Sequence, residues 1–337
     1  MTTEQKIERF KQGLLTLFPG LDTTHLKYGN NKNGKDVWNN IHFNIPPDNR
    51  NLERSPYFFK EQSVVHFSNI YALNSILQEQ SVRLYNLNNL NDPREFTFAS
   101  KVFNLRKELV EDSKDNLYLI SFCKREILRN AQDEFNMWRL YGQNGKGLAI
   151  VFSIANNPTE WKDFHISQVI YGADQRQRFV KLLELIDQLN KTTPSINLDF
   201  GKLCAFHKSK MFAIEKEVRI VFDRREKRSG MVNRTVTFKG QPVFPIIKSD
   251  LYKLIENRDN IRYLKLPLFH KNRQNYDPEV PLLKIDQIII GYNFIDQVSK
   301  LKDNLKDLCE EQLGYIPTIK QTRLKNYYWD IDSTKKK

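Results

Sequence analysis

The stretch Val64–Glu95, VVHFSNIYALNSILQEQSVRLYNLNNLNDPRE, places the tightest constraint on how this chain folds. Val64-Val65 opens a short buried strand that ends at His66-Phe67-Ser68. A helix is expected next, with Ser68 as its N-cap and Ile70, Leu73, Ile76 and Leu77 along one face. Val82-Arg83-Leu84-Tyr85 returns as a second strand. A polar loop then gathers Asn91, Asp92 and Glu95 around Pro93. Polar groups thus stand at the ends of regular elements, where binding residues are commonly mounted. The rest of the chain is expected to complete one site and the core that holds it.

Upstream, residues 1–56 read as a helical and loop extension. Ile7, Phe10, Leu14, Leu15 and Phe18 recur at helical spacing and stop at Pro19-Gly20. A helix with that apolar face is expected to dock on the main domain. Downstream, a helix is predicted from Glu95, and Leu117–Cys123 has the composition of a central strand, polar only at Ser121. AQDEFNMWRLYG reads as a short helix with Phe135, Trp138 and Tyr141 on one face. Gly145-Lys146-Gly147 then reads as a hairpin turn into the strand LAIVFS, with a phosphate cradle as the weaker alternative. A strand over 165–171, a helix from Asp174 and a second helix over about 200–212 follow. The segment Ile214–Phe222 alternates as a strand, placing Glu215, Glu217 and Arg219 on one side. Strands near 232–238, 242–247, 261–268 and 283–290, a helix over 294–313 and a last strand over 315–320 complete the chain.

Helices fall irregularly between strands, without βαβ periodicity. The expected fold is α+β: a mixed, largely antiparallel central sheet with flanking helices. Residues 57–322 form the single catalytic-type domain and 323–337 a basic tail. With 53 Lys and Arg against 40 Asp and Glu, the net charge of +13 suits an anionic partner or, equally, diffuse solubilising charge. Basic groups cluster in Arg224-Arg225-Glu226-Lys227-Arg228 and flank Tyr327-Tyr328-Trp329. Three widely spaced cysteines make a disulfide scaffold or zinc site improbable and fit a reducing cytoplasm. No run approaches the roughly 20 apolar residues of a membrane span.

Against the apolar strands, His66, Ser121 and the Glu215/Glu217/Arg219 row stand out. The plain alternative for the row is a solvated outer face with a cross-strand ion pair, and for His66 a satisfied structural histidine. The functional alternative has a carboxylate stabilising a developing cation while Arg or Lys groups bind phosphate. No Ser-His-Asp spacing, nucleophile elbow or HExxH is present.

The blocks HFSN, NLNDPRE, LISFC, MWRLYGQNGKGLAIVF, VIYG and EKEVRIVF occur in this order. Together they resemble an uncharacterised bacterial family, domain of unknown function twenty-nine seventy-one, over about residues 57–320. That layout is similar to the layout of ADP-ribosyltransferases. The resemblance implies NAD as co-substrate and no metal. His66 would bind a ribose hydroxyl, Ser68 and Ser121 would add polar contacts, and Tyr71, Tyr85, Trp138 or Tyr141 would stack on nicotinamide. Asn91, Asp92 and Arg219 complete the expected binding set. Glu217 would hold the ribose 2′-hydroxyl and stabilise the oxocarbenium-like transition state, and Glu215 would orient or deprotonate the acceptor. Ile120-Ser121-Phe122 stands where those enzymes carry Ser-Thr-Ser. The same resemblance implies a bacterial toxin or phage-defence effector. Its acceptor would be nucleic acid or protein, and an antitoxin or defence-system partner would be possible.

Two other function classes compete. A non-catalytic nucleic-acid-binding module would use the +13 excess and the aromatics among basic residues. A metal-dependent nuclease would assemble Asp92, Glu95, Glu215 and Glu217, although Lys216 faces away from its neighbouring carboxylates on a strand.

Overall fold

The computed structural model describes residues 3–19, 28–30, 36–38, 57, 59–90, 94–102, 114–161, 164–173, 176–191, 196–198, 201–224, 237–238, 241–242, 255–256, 261–294 and 297–325. Asn91, Asp92 and Pro93, the basic block 225–228, most of the strands expected over 232–247, and residues 326–337 lie outside these.

The helices are α1 (Thr3–Leu17), α2 (Ile70–Glu79), α3 (Arg94–Val102), α4 (Ala131–Leu140), α5 (Arg176–Leu189), α6 (Gly201–Ala205) and α7 (Val298–Leu313). A small sheet joins β1 (Tyr28–Asn30), β2 (Asp36–Trp38) and, from later in the chain, Ile196–Leu198. The main sheet begins with β3 (Ser63–Ser68), β4 (Ser81–Asn86), β5 (Leu117–Lys124), β6 (Leu148–Ile154) and β7 (Phe164–Gln168). After β8 (Ile170–Tyr171), β9 (Ile196–Leu198) and β10 (His207–Lys208) comes β11 (Glu217–Asp223). The short pair β12 (Thr237–Phe238) and β13 (Gln241–Pro242) precedes β14 (Ile255–Glu256), β15 (Arg262–Pro267), β16 (Leu283–Ile290) and β17 (Thr318–Gln321). The fold is α+β, and the main sheet is antiparallel except for the β16–β17 pair.

The sheet forks at β5. On one side β5 pairs with β11 along its length, from Glu217↔Cys123 to Asp223↔Leu117. On its other side it pairs with β4 at Leu119 and Tyr118, and with β3 at Lys124 and Cys123. Between these contacts, Ile120, Ser121 and Phe122 have no strand partner on that side among the described residues. One arm of the fork runs through β4 to β15 and β14, the other through β3 to β6, β16 and β17.

Alternation along β5 then assigns the two faces. Ile120 and Phe122 join Ile150, Phe152, Val218 and Ile220 under α2 and α7. The opposite face carries Leu117, Leu119, Ser121 and Cys123. Its Leu117 and Leu119 meet Val221 and the helical cluster of α1, α5 and α6. Its Cys123 meets Val65, Phe67, Val151, Met137 and Trp138 beneath α4. Ser121 lies between these two apolar covers. The cores on both faces are dense with Leu, Ile, Val and Phe, each worth about 1.5–3 kcal/mol when fully buried.

The expected docking of the first helix is present. Phe10, Leu14 and Phe18 are buried against Phe179, Leu182 and Ile186, whereas Leu15 is 41% exposed. Four local expectations are corrected. The cap of α2 is Asn69, whose Oδ1 accepts from Ala72 N at 2.8 Å, because Ser68 is still paired to Leu148 in the sheet. The helix expected over 200–212 is broken into α6, β10 and a 3₁₀ turn over Lys210–Glu215, because His207 and Lys208 pair with β8. β11 begins at Glu217 and not at Ile214. The Gly145-Lys146-Gly147 segment joins α4 to β6 as a helix-to-strand turn, not a hairpin. Its glycines allow backbones to touch. A Cβ on Gly147 would lie 2.3 Å from Ser68 O, and one on Gly291 would lie 2.1 Å from Gly145 O.

Candidate functional site

Between the two helical covers lies a cavity of about 300 Å³. It is built where the chain departs from regular structure. The break after α6 extends His207-Lys208 alongside β8, which turns the Lys208 ammonium inward. The 3₁₀ turn that follows ends at Lys216, whose φ of +44° is left-handed. That reversal brings Glu215 onto the same side as Glu217 without both residues belonging to the strand. It also sends Lys216 outward, to pair with Asp133 at 3.1 Å and Glu126 at 3.3 Å.

The Glu215/Glu217/Arg219 row is buried, not a solvated outer face: the three residues are 4%, 4% and 2% exposed. Arg219 Nε donates to Glu217 Oε1 at 2.7 Å and Nη2 to Glu217 Oε2 at 3.0 Å. Nη2 also meets Glu95 Oε2 at 2.5 Å, and Nη1 donates to Ala205 O at 2.6 Å. Lys208 Nζ touches all three carboxylates, at 2.7 Å from Glu95, 2.7 Å from Glu215 and 3.4 Å from Glu217. The ammonium also lies 4.5 Å from the centre of the Phe212 ring. Three carboxylates thus share two fixed cations in a confined space, where leaving a charge uncompensated is expensive.

The two strand-side carboxyls are pushed in opposite directions. Burial raises the pKa of Glu215, and its contacts to Lys208 and Tyr141 only partly offset this. For Glu217 burial also acts upward, but Arg219 and Lys208, with the Ser121 hydroxyl, outweigh it and hold the carboxyl below its ordinary value. Neighbouring carboxyls separated in this way are suited to unlike roles, one ionised and one able to carry a proton. Tyr141 Oη donates to Glu215 at 2.5 Å, and burial with this carboxylate raises the phenol's pKa. Tyr171 Oη accepts from Glu217 N at 2.8 Å and fixes the start of β11.

His66 enters from the fork. Its Nδ1 lies 3.1 Å from Ser121 O, the carbonyl at the point where β5 has neither β3 nor β4 beside it. A carbonyl only accepts, so Nδ1 carries the proton. Burial lowers the pKa of the ring, which is therefore neutral near pH 7 with Nε2 as an acceptor.

The cavity wall includes His66, Ser121, Tyr141, Glu215, Glu217 and Arg219, so the fold brings these six expected residues together. Other expected residues go elsewhere. Ser68 completes β3 and does not line the cavity. Trp138 is fully buried in the core under α4, packs on Phe67 and donates its indole N–H to Glu134 at 3.0 Å, so stacking on a ligand is ruled out. Tyr71 is 78% exposed on α2 and Tyr85 packs against Tyr263. Sequence reading missed Lys208 and Phe212, which the expected helix over 200–212 concealed. Glu95, read from sequence as a loop carboxylate and as a metal ligand in the nuclease alternative, instead anchors Arg219. Among the described residues no group of three or more His, Cys, Asp or Glu side chains could hold a metal ion. Lys208 Nζ occupies the place between the carboxylates that a bridging ion would need.

Residues 137–220 match the family model described as Protein of unknown function (DUF2971), the family that the ordered sequence blocks resemble. That segment carries Tyr141, Lys208, Glu215, Glu217 and Arg219, while His66, Glu95 and Ser121 come from outside it. No curated protein and no solved structure matches the chain. Among the described residues no helix is long and apolar enough to cross a membrane.

Proposed function

We propose that this chain cleaves the nicotinamide–ribose bond of NAD, transferring ADP-ribose to an acceptor or to water. The observation that carries the proposal is the meeting of His66, Ser121 and Glu217, which are far apart along the chain, in one cavity. The volume of about 300 Å³ lies at the lower end for ligand pockets, so it suits the nicotinamide riboside end and leaves the rest of the dinucleotide toward solvent.

The residue chemistry follows the charge. Glu217, held ionised, stabilises the positive charge that develops on the sugar as the bond to nicotinamide breaks. Arg219 fixes the orientation of that carboxylate through two contacts. His66 Nε2 accepts from a ribose hydroxyl, and the Ser121 carbonyl holds the ring in the required tautomer. The electron pair of the broken bond leaves with nicotinamide. An attacking hydroxyl or water forms the new bond to the sugar carbon and gives its proton to Glu215, whose raised pKa favours taking it. Phe212 and Tyr141 supply the aromatic wall.

The nuclease alternative has less support, since Lys208 stands among the carboxylates a metal would need. The test is nicotinamide release from NAD by purified protein, with and without cell lysate as a source of acceptors. Release lost in Glu217→Gln supports the proposal. Absence of release by wild type in every condition overturns it. A role as a bacterial toxin or phage-defence effector, suggested by the same resemblance, predicts that wild type but not Glu217→Gln arrests growth on expression.

A further inference from the structure

A second cavity, of about 400 Å³, opens beside α4. Its wall holds four cationic side chains from separate segments: Arg125 and Arg129 on the 3₁₀ turn after β5, Lys320 on β17, and Arg323 just beyond it. Among the described residues none of the four forms an ion pair. The acidic residues nearby are already committed. Glu126 and Asp133 pair with Lys216. Glu134, the carboxylate in the cavity wall, is 5% exposed and accepts from the Trp138 indole and the Thr322 hydroxyl. Among the described residues Arg125 makes a 3.4 Å contact to the Ser63 hydroxyl. Four cations converge here on a concave surface whose wall holds one buried carboxylate, Glu134, and the excess of positive charge leaves a site for anions.

The register shows where this cavity lies relative to the first. Cross-strand partners point to the same face, and Gln287↔Val151, Val151↔Val65, Val65↔Cys123 and Cys123↔Glu217 form a continuous row. Gln287 lines the second cavity, whereas Cys123 and Glu217 line the first. Both cavities therefore open on one face of the sheet, with α4 between them. Arg129, Lys320 and Arg323 are exposed, so their charge is presented along a tract and not closed around one ion. Leu128 and Ile289 give the floor an apolar strip, which suits a sugar or base between phosphates.

We propose that the second cavity binds the phosphate backbone of a single-stranded nucleic acid, positioning it to cross α4 toward the first cavity. Binding stands without the NAD reaction; only the strand's use as an ADP-ribose acceptor rests on the proposed function.

The test measures binding of a fluorescent single-stranded DNA and an RNA of the same sequence by the full chain, without NAD, over a salt series. With up to four phosphate contacts, log K should fall with log salt at a slope of about −3. Arg129→Gln/Arg323→Gln, two exposed positions, should raise Kd about tenfold or more and flatten the slope by roughly one. Lys300→Gln/Lys302→Gln on α7, which packs on the opposite face of the sheet, should leave both unchanged. Unaltered melting temperatures verify that the variants fold, and the single substitutions serve if the double variant does not. Absence of salt-dependent binding overturns the proposal, as does equal loss in the α7 variant. Binding of inorganic phosphate or pyrophosphate without oligonucleotide binding also overturns it, in favour of a small-anion site. Oligonucleotide binding with no nicotinamide release leaves this site standing and removes only the NAD reaction.

Discussion

His66 Nδ1 lies 3.1 Å from the carbonyl oxygen of Ser121, where β5 leaves β4 and has not yet joined β3. The imidazole supplies the hydrogen bond that a neighbouring strand would otherwise give. The fork thereby creates an opening in the sheet without leaving this backbone acceptor unmet. The remaining ring nitrogen is kept as an acceptor. His66→Ala is expected to reduce nicotinamide release at least tenfold while the protein stays folded; single-turnover kinetics and circular dichroism check both halves. Activity equal to wild type would remove His66 from the site.

Arg219 joins Glu217 and Glu95, and its removal strands both. Breaking a buried pair by deleting one partner typically costs about 3–5 kcal/mol. Arg219→Met is therefore expected to lower stability by about that amount in urea unfolding. Arg219→Lys should recover only part, because the three N–H groups of one ammonium, on a single nitrogen, cannot reproduce the four contacts that three guanidinium nitrogens make to Glu217, Glu95 and Ala205 O. A stability loss under 1 kcal/mol for Arg219→Met would contradict the burial described.

Glu215 and Glu217 should contribute to stability with opposite dependence on pH. The folded-state pKa of Glu215 is raised above 4.5, so its contribution is full below that pH and is lost as pH rises through the folded value. The folded-state pKa of Glu217 is depressed below 4.5, so its contribution is present above that pH and is lost as pH falls through the folded value. Relative to wild type, Glu215→Gln should thus gain stability as pH rises from 4 toward 7. Glu217→Gln should lose stability relative to wild type as pH rises from acid toward 5. Melting temperatures of the three proteins across pH 3–7 test both signs; parallel curves would refute the separation of the two carboxyls.

The glycines near α4 are expected to act through packing. A Cβ on Gly291 would meet Gly145 O and C, both backbone atoms that no side-chain rotation can move. Gly291→Ala should cost about 1–3 kcal/mol, the usual cost of forced overpacking. Equilibrium unfolding measures it, and a neutral result would show that the turn yields.

Much of the fold was legible because periodicity is a local property. The strand–helix–strand unit at 63–86, the strand at 117–124, α4, α5 and the docking face of α1 all followed from spacing of apolar residues. In two of the four failures a tertiary hydrogen bond had overruled local preference. Pairing of His207-Lys208 with β8 broke a plausible helix, and Ser68 stayed in the sheet and left capping to Asn69.

For the site, residue types and strand alternation singled out His66, Ser121, Glu217 and Arg219 from sequence alone, together with Glu215. Sequence could not decide whether the charged row faced water or the interior, since alternation defines two faces but not what covers them. That choice came from two helical covers that stop short of each other, leaving Ser121, Glu217 and Arg219 in the gap. It also could not place Lys208 or Glu95, because their partners lie 113 and 124 positions apart along the chain in the Lys208–Glu95 and Arg219–Glu95 pairs. Local sequence determined which elements form and which side chains share a face. Only the tertiary structure decided which charges meet, because Coulomb energy depends on separation in space and on burial, neither of which is written in sequence spacing.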